Sequence, residues 1–215
     1  MRSILSNSAT SGRTIATGLV VAALVATLAA LLLPVQLFGE TASAATNTVT
    51  YDDDGGGTVN TRYGPLTAMD RDFVRKVRLA GLWELPAGRQ AQERGQTAAV
   101  RSAGAILVAG HTELDRRSIE AGRALGISLP NQPNADQQGW LAQMNAAQGD
   151  DFAPTFAELL RRAHGKVFGL VAMVRDQTKN SMVRSLANRA NDVVLQHITA
   201  LEKTGSVDFN TLHSS

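Results

Sequence analysis

Between Leu66 and Gly205, apolar residues recur every three or four positions over four long stretches and almost nowhere alternate. Such spacing lines up one face of a helix, whereas a half-buried strand alternates at every second residue. The first stretch starts at Thr67, a capping residue with Asp70 three positions on, and runs toward Gln92. Its inward stripe is Phe73, Val77, Ala80, Glu84 and Ala87. Pro86 cannot donate to the carbonyl of Leu82, so a kink is expected there. The second stretch, about Thr97 to Leu125, carries Val100, Ala103, Leu107, His111, Leu114, Ser118, Ala121 and Leu125 inward and closes on Gly126. The third, Phe152 to Gln177, carries Phe156, Leu160, His164, Val167, Val171 and Val174. After a turn at Asn180, the fourth runs from Ser181 to Lys203 through Val183, Leu186, Ala190, Val194, His197 and Leu201, and Gly205 ends it.

Turns within the first and last pairs are short, while the middle connection is long. Pro130 and Pro133 make its start irregular; Asp136 to Ala147 is expected to form a short helix whose Trp140 and Met144 close one end of the core. The pattern predicts an all-α fold, a ferritin-like antiparallel four-helix bundle with a long middle crossover containing a short helix. An interrupted three-helix array is the alternative. Composition agrees, with Ala, Leu, Arg and Gln plentiful and no β-branched run after the N-terminus.

Upstream of the helices the pattern changes. Arg2 and Arg13 precede an uncharged stretch from Thr14 to Gly39, long enough to span a bilayer, and "TASAA" follows as an A-x-A cleavage motif. Residues 1–44 therefore read as a membrane anchor or a signal sequence. Either sends the rest of the chain across the membrane. The expected location is the cell membrane, single-pass with an extracytoplasmic C-terminal domain, the alternative being secretion after cleavage near Ala44. Residues 45–65 are polar and glycine-rich and are expected to be a flexible linker. Asp52, Asp53 and Asp54 before three glycines lack the rest of a calcium loop, its terminal Glu included. Residues 66–205 form the bundle and 206–215 a polar tail.

Charge narrows the partners. The 215-residue chain has a formal charge of +2, and without Arg2, Arg13 and Glu40 the remainder holds 19 basic against 18 acidic residues. No Lys/Arg run interleaves with aromatics, so nucleic acid is not an expected partner, and the N-terminal apolar segment points instead to the membrane. The absence of cysteine excludes disulfides, thiolate metal sites and Cys nucleophiles. No phosphate loop or nucleophile elbow is present, and no catalytic residue is assigned.

What chemistry remains lies on the helix stripes. His213 is in the tail; His111, His164 and His197 each face inward on a different helix, and Glu84 takes the matching place on the remaining one. Counted from the turn near Gly95, Glu84 and His111 differ in height by about 7 Å; counted from Lys179, His164 and His197 differ by about 4.5 Å. The pairs are nearly level. Three imidazoles and a carboxylate suit one transition-metal ion, Zn, Fe, Cu or Mn, with Asp115 one turn beyond His111 as a further ligand or an acceptor for a ring N–H. The same four residues equally suit a structural hydrogen-bond network. Paired E-x-x-H motifs of di-iron bundles are absent. Asp192 and Glu158 are expected on the solvated face.

The segments "DRDFVRKVRLAGLWELPAGRQA", "GHTELDRRSIEAGRALGISLPNQP", "FAPTFAELLRRAHGKVF" and "VLQHITALEKTG" together resemble the domain-of-unknown-function family numbered 4142, exported ferritin-like helical proteins, its actinobacterial branch most of all. The resemblance covers roughly Leu66 to Gly205. It implies an acidic residue on the first helix and a His on each of the others, which correspond to Glu84, His111, His164 and His197. Members often carry Asp immediately before the first His, where this chain has Gly110. The resemblance implies no established activity. Two functions stand as expectations: an exported, membrane-tethered metal-binding domain, or a non-catalytic cell-envelope interaction module whose histidines are structural.

Overall fold

The structure, a computed structural model, describes residues 49–212. The expected leader or anchor, the first residues of the linker and His213 lie outside the described residues. Within them the fold is mainly helical: β1 (Val59–Thr61), β2 (Gly64–Leu66), α1 (Ala68–Arg94), α2 (Ala98–Leu125), α3 (Ala135–Ala146), a 3-10 turn (Gly149–Asp151), α4 (Phe152–Gln177) and α5 (Ser181–Glu202).

Local chemistry sets the helix ends. Thr67 accepts from the Asp70 backbone N–H while the Asp70 carboxylate accepts from the Thr67 N–H, a reciprocal box that answers two otherwise orphaned donors. Thr97 caps α2, and Asn134 with Gln137 boxes the start of α3. The Asn180 side chain accepts from the first amides of α5. Gly126 ends α2 in the left-handed region, at φ 68°, where a Cβ is costly. Helix α1 continues through Pro86.

The four long helices make a closed ring of contacts, α1 with α2, α2 with α5, α5 with α4 and α4 with α1, while α3 lies against α1 and α4. Their inward faces form two apolar clusters. One gathers Phe73, Val77, Leu114, Leu170, Val183 and Val193; the other gathers Trp83, Leu107, Met144, Phe156, Leu160 and Leu201. Along α1 the first cluster precedes the second, and along α2 the order is reversed. It is reversed again along α4 and restored along α5. Met144 of α3 is fully buried, and Trp140 meets Trp83 edge to face at 4.9 Å. Ala80 and Val167, expected inward, are only half-buried. Leu170 and Trp83 fill the core instead.

The segment ahead of α1 differs from the expected flexible linker and from the absence of strands. Val59–Thr61 pairs antiparallel with Gly64–Leu66. This hairpin docks on the α4–α5 turn, where Ser181 N–H donates to the Tyr63 carbonyl at 2.8 Å and the Asn180 amide donates to the Gly64 carbonyl at 3.2 Å. Gly64 sits at φ 103° against the Lys179 carbonyl and leaves no room for a Cβ. Upstream, Asp54 is gripped by Arg71 and Arg75, and Lys76 reaches Asp52. Thus Asp54 answers arginines. No described helix is long and apolar enough to cross a membrane.

Candidate metal centre

Each of the four long helices contributes one polar residue at the boundary of the two apolar clusters. On α1, Glu84 falls between Val77 and Ala87; on α2, His111 falls between Leu107 and Leu114. His164 lies between Leu160 and Leu170 on α4, and His197 between Val193 and Ala200 on α5. Helical spacing keeps each on its inward stripe, so a polar layer crosses an otherwise apolar core. The offsets of about 7 and 4.5 Å counted from the turns do not keep the four apart. One ligand atom from each lies within 4.8 Å of every other, and all four residues are buried. The sequence-predicted set is therefore brought together in full.

The hydrogen bonds fix how the rings are used. His111 Nε2 donates to Glu84 Oε2 at 2.7 Å. His164 Nδ1 donates to the Leu160 carbonyl one turn earlier on its own helix, at 2.8 Å, which turns Nε2 toward the cluster. That nitrogen lies 2.9 Å from His197 Nδ1 and 3.2 Å from Glu84 Oε2. Burial opposes charge on Glu84, but attraction from His111 and His164 and the His111 hydrogen bond outweigh it and hold the carboxyl below its usual range. Burial likewise pushes His164 down, against the pull of Glu84. It pushes His197 down to about 2, aided by repulsion from the other two rings.

Near neutral pH, then, Glu84 is a carboxylate and His164 and His197 are neutral. With its proton on Nδ1, His164 presents a bare lone pair at Nε2. His197 Nδ1–H can donate to it, yet Glu84 Oε2 faces the same nitrogen with another lone pair. Two acceptors at 3.2 Å have no proton to share. Two further nitrogens, His111 Nδ1 and His197 Nε2, are buried without a hydrogen-bond partner. The Ile106 carbonyl is close enough to His197 to favour its protonated ring, but it makes no hydrogen bond to Nε2.

A cation held there would resolve the central conflict. In a tetrahedral site with metal–ligand bonds near 2.0–2.1 Å the ligand atoms stand about 3.3 Å apart. The closest pairs here, 2.7–3.2 Å, would have to open by up to about 0.6 Å, and the wider ones, up to 4.8 Å, to close by up to about 1.5 Å. Three imidazole nitrogens and one carboxylate oxygen suit a borderline ion of the first transition row. Protein ligands fill four positions, all from rigid helices.

Asp115 does not join them. It pairs with Arg78, which also donates to the Pro130 carbonyl, and so ties α1, α2 and the crossover together beside the site. The reason is reach: a short side chain one turn past His111 meets the guanidinium on α1 before any imidazole. Asp192 is exposed as expected, while Glu158 is half-buried and holds the chain end through the Asp208 N–H and Thr211. Gly110 carries a role that helix periodicity did not reveal. Its missing side chain leaves the space taken by the His197 ring. The signals in the sequence were a mid-helix glycine directly before His111 and its departure from the Asp that the resemblance implies there.

No curated protein and no solved structure matches this chain. A family model does, over residues 58–204, a span that takes in the hairpin, all five helices among the described residues and the four clustered residues. The chain belongs to the family described as Domain of unknown function (DUF4142).

Proposed function

We propose that this protein is a metal-binding, ferritin-like antiparallel four-helix bundle that holds one transition-metal ion, Zn, Fe, Cu or Mn, on Glu84 Oε2, His111 Nε2, His164 Nε2 and His197 Nδ1. The alternating order of the two apolar clusters supports the topology: every pair of helices in contact around the ring runs antiparallel, and the crossover joins two that run the same way. The apolar N-terminus supports export, with the bundle tethered outside the membrane by residues 1–44, or released after Ala44.

One observation carries the metal reading: four helices each aim one buried ligand atom to within 4.8 Å of the others, and two of those atoms, the acceptors His164 Nε2 and Glu84 Oε2, face each other at 3.2 Å. A network kept for structure alone saturates its donors and acceptors, because each unanswered buried group costs about 1–3 kcal/mol. This one leaves two nitrogens unpartnered besides. Bound metal would act in storage, sensing or protection. No described group stands as an acid, base or nucleophile beside it.

The test is metal content. The full chain, purified without a His tag and in detergent where its N-terminus requires it, is reconstituted and assayed by elemental analysis beside His164→Leu. About one equivalent in the wild type and none in the variant is expected. No metal in either, with the leucine variant as stable as the wild type, overturns the reading. The histidines then become structural and the envelope interaction module takes its place.

A further inference from the structure

Beside the cluster, α2 carries a glycine where the chain can least spare a side chain. A Cβ built on Gly110 falls closer than 3.0 Å to His197 Nε2, 2.9 Å from its Cε1 and 2.8 Å from Val193 Cγ1. Real Cβ contacts are never so short. The far edge of the His197 ring therefore occupies the volume that any other residue at 110 would fill. Gly110 itself is buried on α2, directly before His111. Mid-helix glycine costs roughly 1 kcal/mol relative to alanine, so its presence needs a packing reason, and the ring supplies one.

The other edge of the ring has no slack. His197 Nδ1 is 2.9 Å from His164 Nε2, and the ring centroids of His111 and His164 lie 4.9 and 5.0 Å from that of His197. A ring pushed off Gly110 can move only into the space between the four ligands. The Ile106 carbonyl, one turn earlier on α2, also lies near the His197 ring. When Nδ1 gives its lone pair to a metal, the ring proton must sit on Nε2. That edge is buried and without a hydrogen-bond partner, and the Ile106 carbonyl is an acceptor near the ring. Metal-ligating imidazoles characteristically direct their second N–H at such an acceptor.

We infer that Gly110 is the positioning residue of the metal centre: the notch left by its missing side chain seats His197 so that Nδ1 is the nitrogen offered to the ion. Gly110 touches no metal and acts only through His197. The inference rests on the metal-binding reading above.

Cobalt(II) is the probe, because its visible absorption reports coordination geometry. The full-length wild type, loaded with one equivalent, is expected to show the intense bands of a four-coordinate ion. Gly110→Ala, which removes no ligand, should lose at least tenfold in cobalt affinity, or shift to the weak spectrum of a more open, solvated site. Gly110→Ala with the wild-type spectrum and affinity overturns the inference and leaves the metal reading intact. A wild type that binds no cobalt, zinc, iron, copper or manganese overturns the metal reading and the positioning role with it. Thermal melts of the metal-free proteins guard against simple misfolding. Gly110→Ala should lower the melting temperature when His197 is present and have little effect in a His197→Ala background. Equal losses in both backgrounds would show that the notch serves the helix and not the ring, which also overturns the inference.

Discussion

Asp54 is a carboxylate held against α1 and Glu84 one carried by it, and they are satisfied by opposite means. Asp54 is partly exposed and takes two guanidinium groups, Arg71 and Arg75, on its two oxygens and a backbone N–H from Gly56. These bonds hold its carboxyl well below the usual range. Its charge is matched by permanent cations, so the latch is complete as it stands. Glu84 is buried, and only imidazoles answer it. Two of the three rings around it have lost their tendency to charge. A buried anion with no permanent cation is an unfinished arrangement. The same residue class thus makes a fastener in one region and, on the proposed reading, half of a binding site in the other. The difference is whether the partner's charge is fixed or must come from outside.

The largest effect that separates the regions is the response to metal. At ligand concentrations near 1,000 times the dissociation constant, binding to the folded state alone adds about 4 kcal/mol. For a chain of this size that corresponds to a rise of roughly 8–16 °C in melting temperature. The rise should be reversed by chelator, absent in His164→Leu and unchanged in Asp54→Asn. An equal rise in His164→Leu would place the ion elsewhere on the molecule. Without metal, His164→Leu should be at least as stable as the wild type, because an apolar side chain of similar size suits the layer between Leu160 and Leu170.

Next in size is the pH dependence of the metal-free protein. His164 and His197 are both held neutral by burial, so their folded-state pKa values lie below the ordinary 6.5. Below that pH the unfolded chain takes up protons that the folded one refuses, and stability falls with pH. Their contribution is fully present above about 6.5, and for His197 the loss continues down to about 2. Each such group contributes a slope approaching about 1.4 kcal/mol per pH unit. Glu84 and Asp54, also lowered, act in the same direction but only below the ordinary carboxylate range near 4. Between pH 6.5 and 5, therefore, the cluster acts and the latch does not. Denaturant melts across that window should show a steep loss in the wild type and a shallow one in His164→Leu/His197→Leu. Parallel slopes would mean that the rings are not buried neutral.

Why the centre was legible in the sequence and the latch was not follows from how each is built. Glu84, His111, His164 and His197 lie on periodic stripes, and periodicity is local information. Once four stripes face one core, their polar interruptions have nowhere else to point. The helix boundaries were legible for the same reason, through Thr67, Thr97, Asn180 and Gly126. The hairpin is held by residues more than a hundred positions away, Asn180 and Ser181, and three-residue strands leave no alternation to detect. Asp54 looked like part of a solvated run until Arg71 and Arg75 were brought beside it. Gly110 is intermediate. Its identity was visible, but its meaning depends on the register of α2 against α5, which the sequence does not encode in any short pattern.

The smallest effect lies in the latch, and it tests the comparison from the other side. Asp54→Asn removes the charge that Arg71 and Arg75 share, yet Arg71 keeps the Gly57 and Leu66 carbonyls as acceptors. The hairpin keeps its bonds to Asn180 and Ser181, so the bundle should melt within a few degrees of the wild type, less than any change in the cluster. The local consequence should be clearer: the backbone from Asp52 to Gly57 loses its anchor and is cut faster by protease, while α1 stays protected. Salt should imitate the substitution. At 1 M the screening length falls to about 3 Å, so the partly exposed pairs of Asp54 weaken while the dry contacts of Glu84 do not. Faster cleavage in high salt with unaltered metal affinity is the expected outcome. If salt reduced metal affinity to the same degree as it loosened the latch, Glu84 would be reached by solvent ions, and the contrast between a finished surface pair and an unfinished buried one would fail.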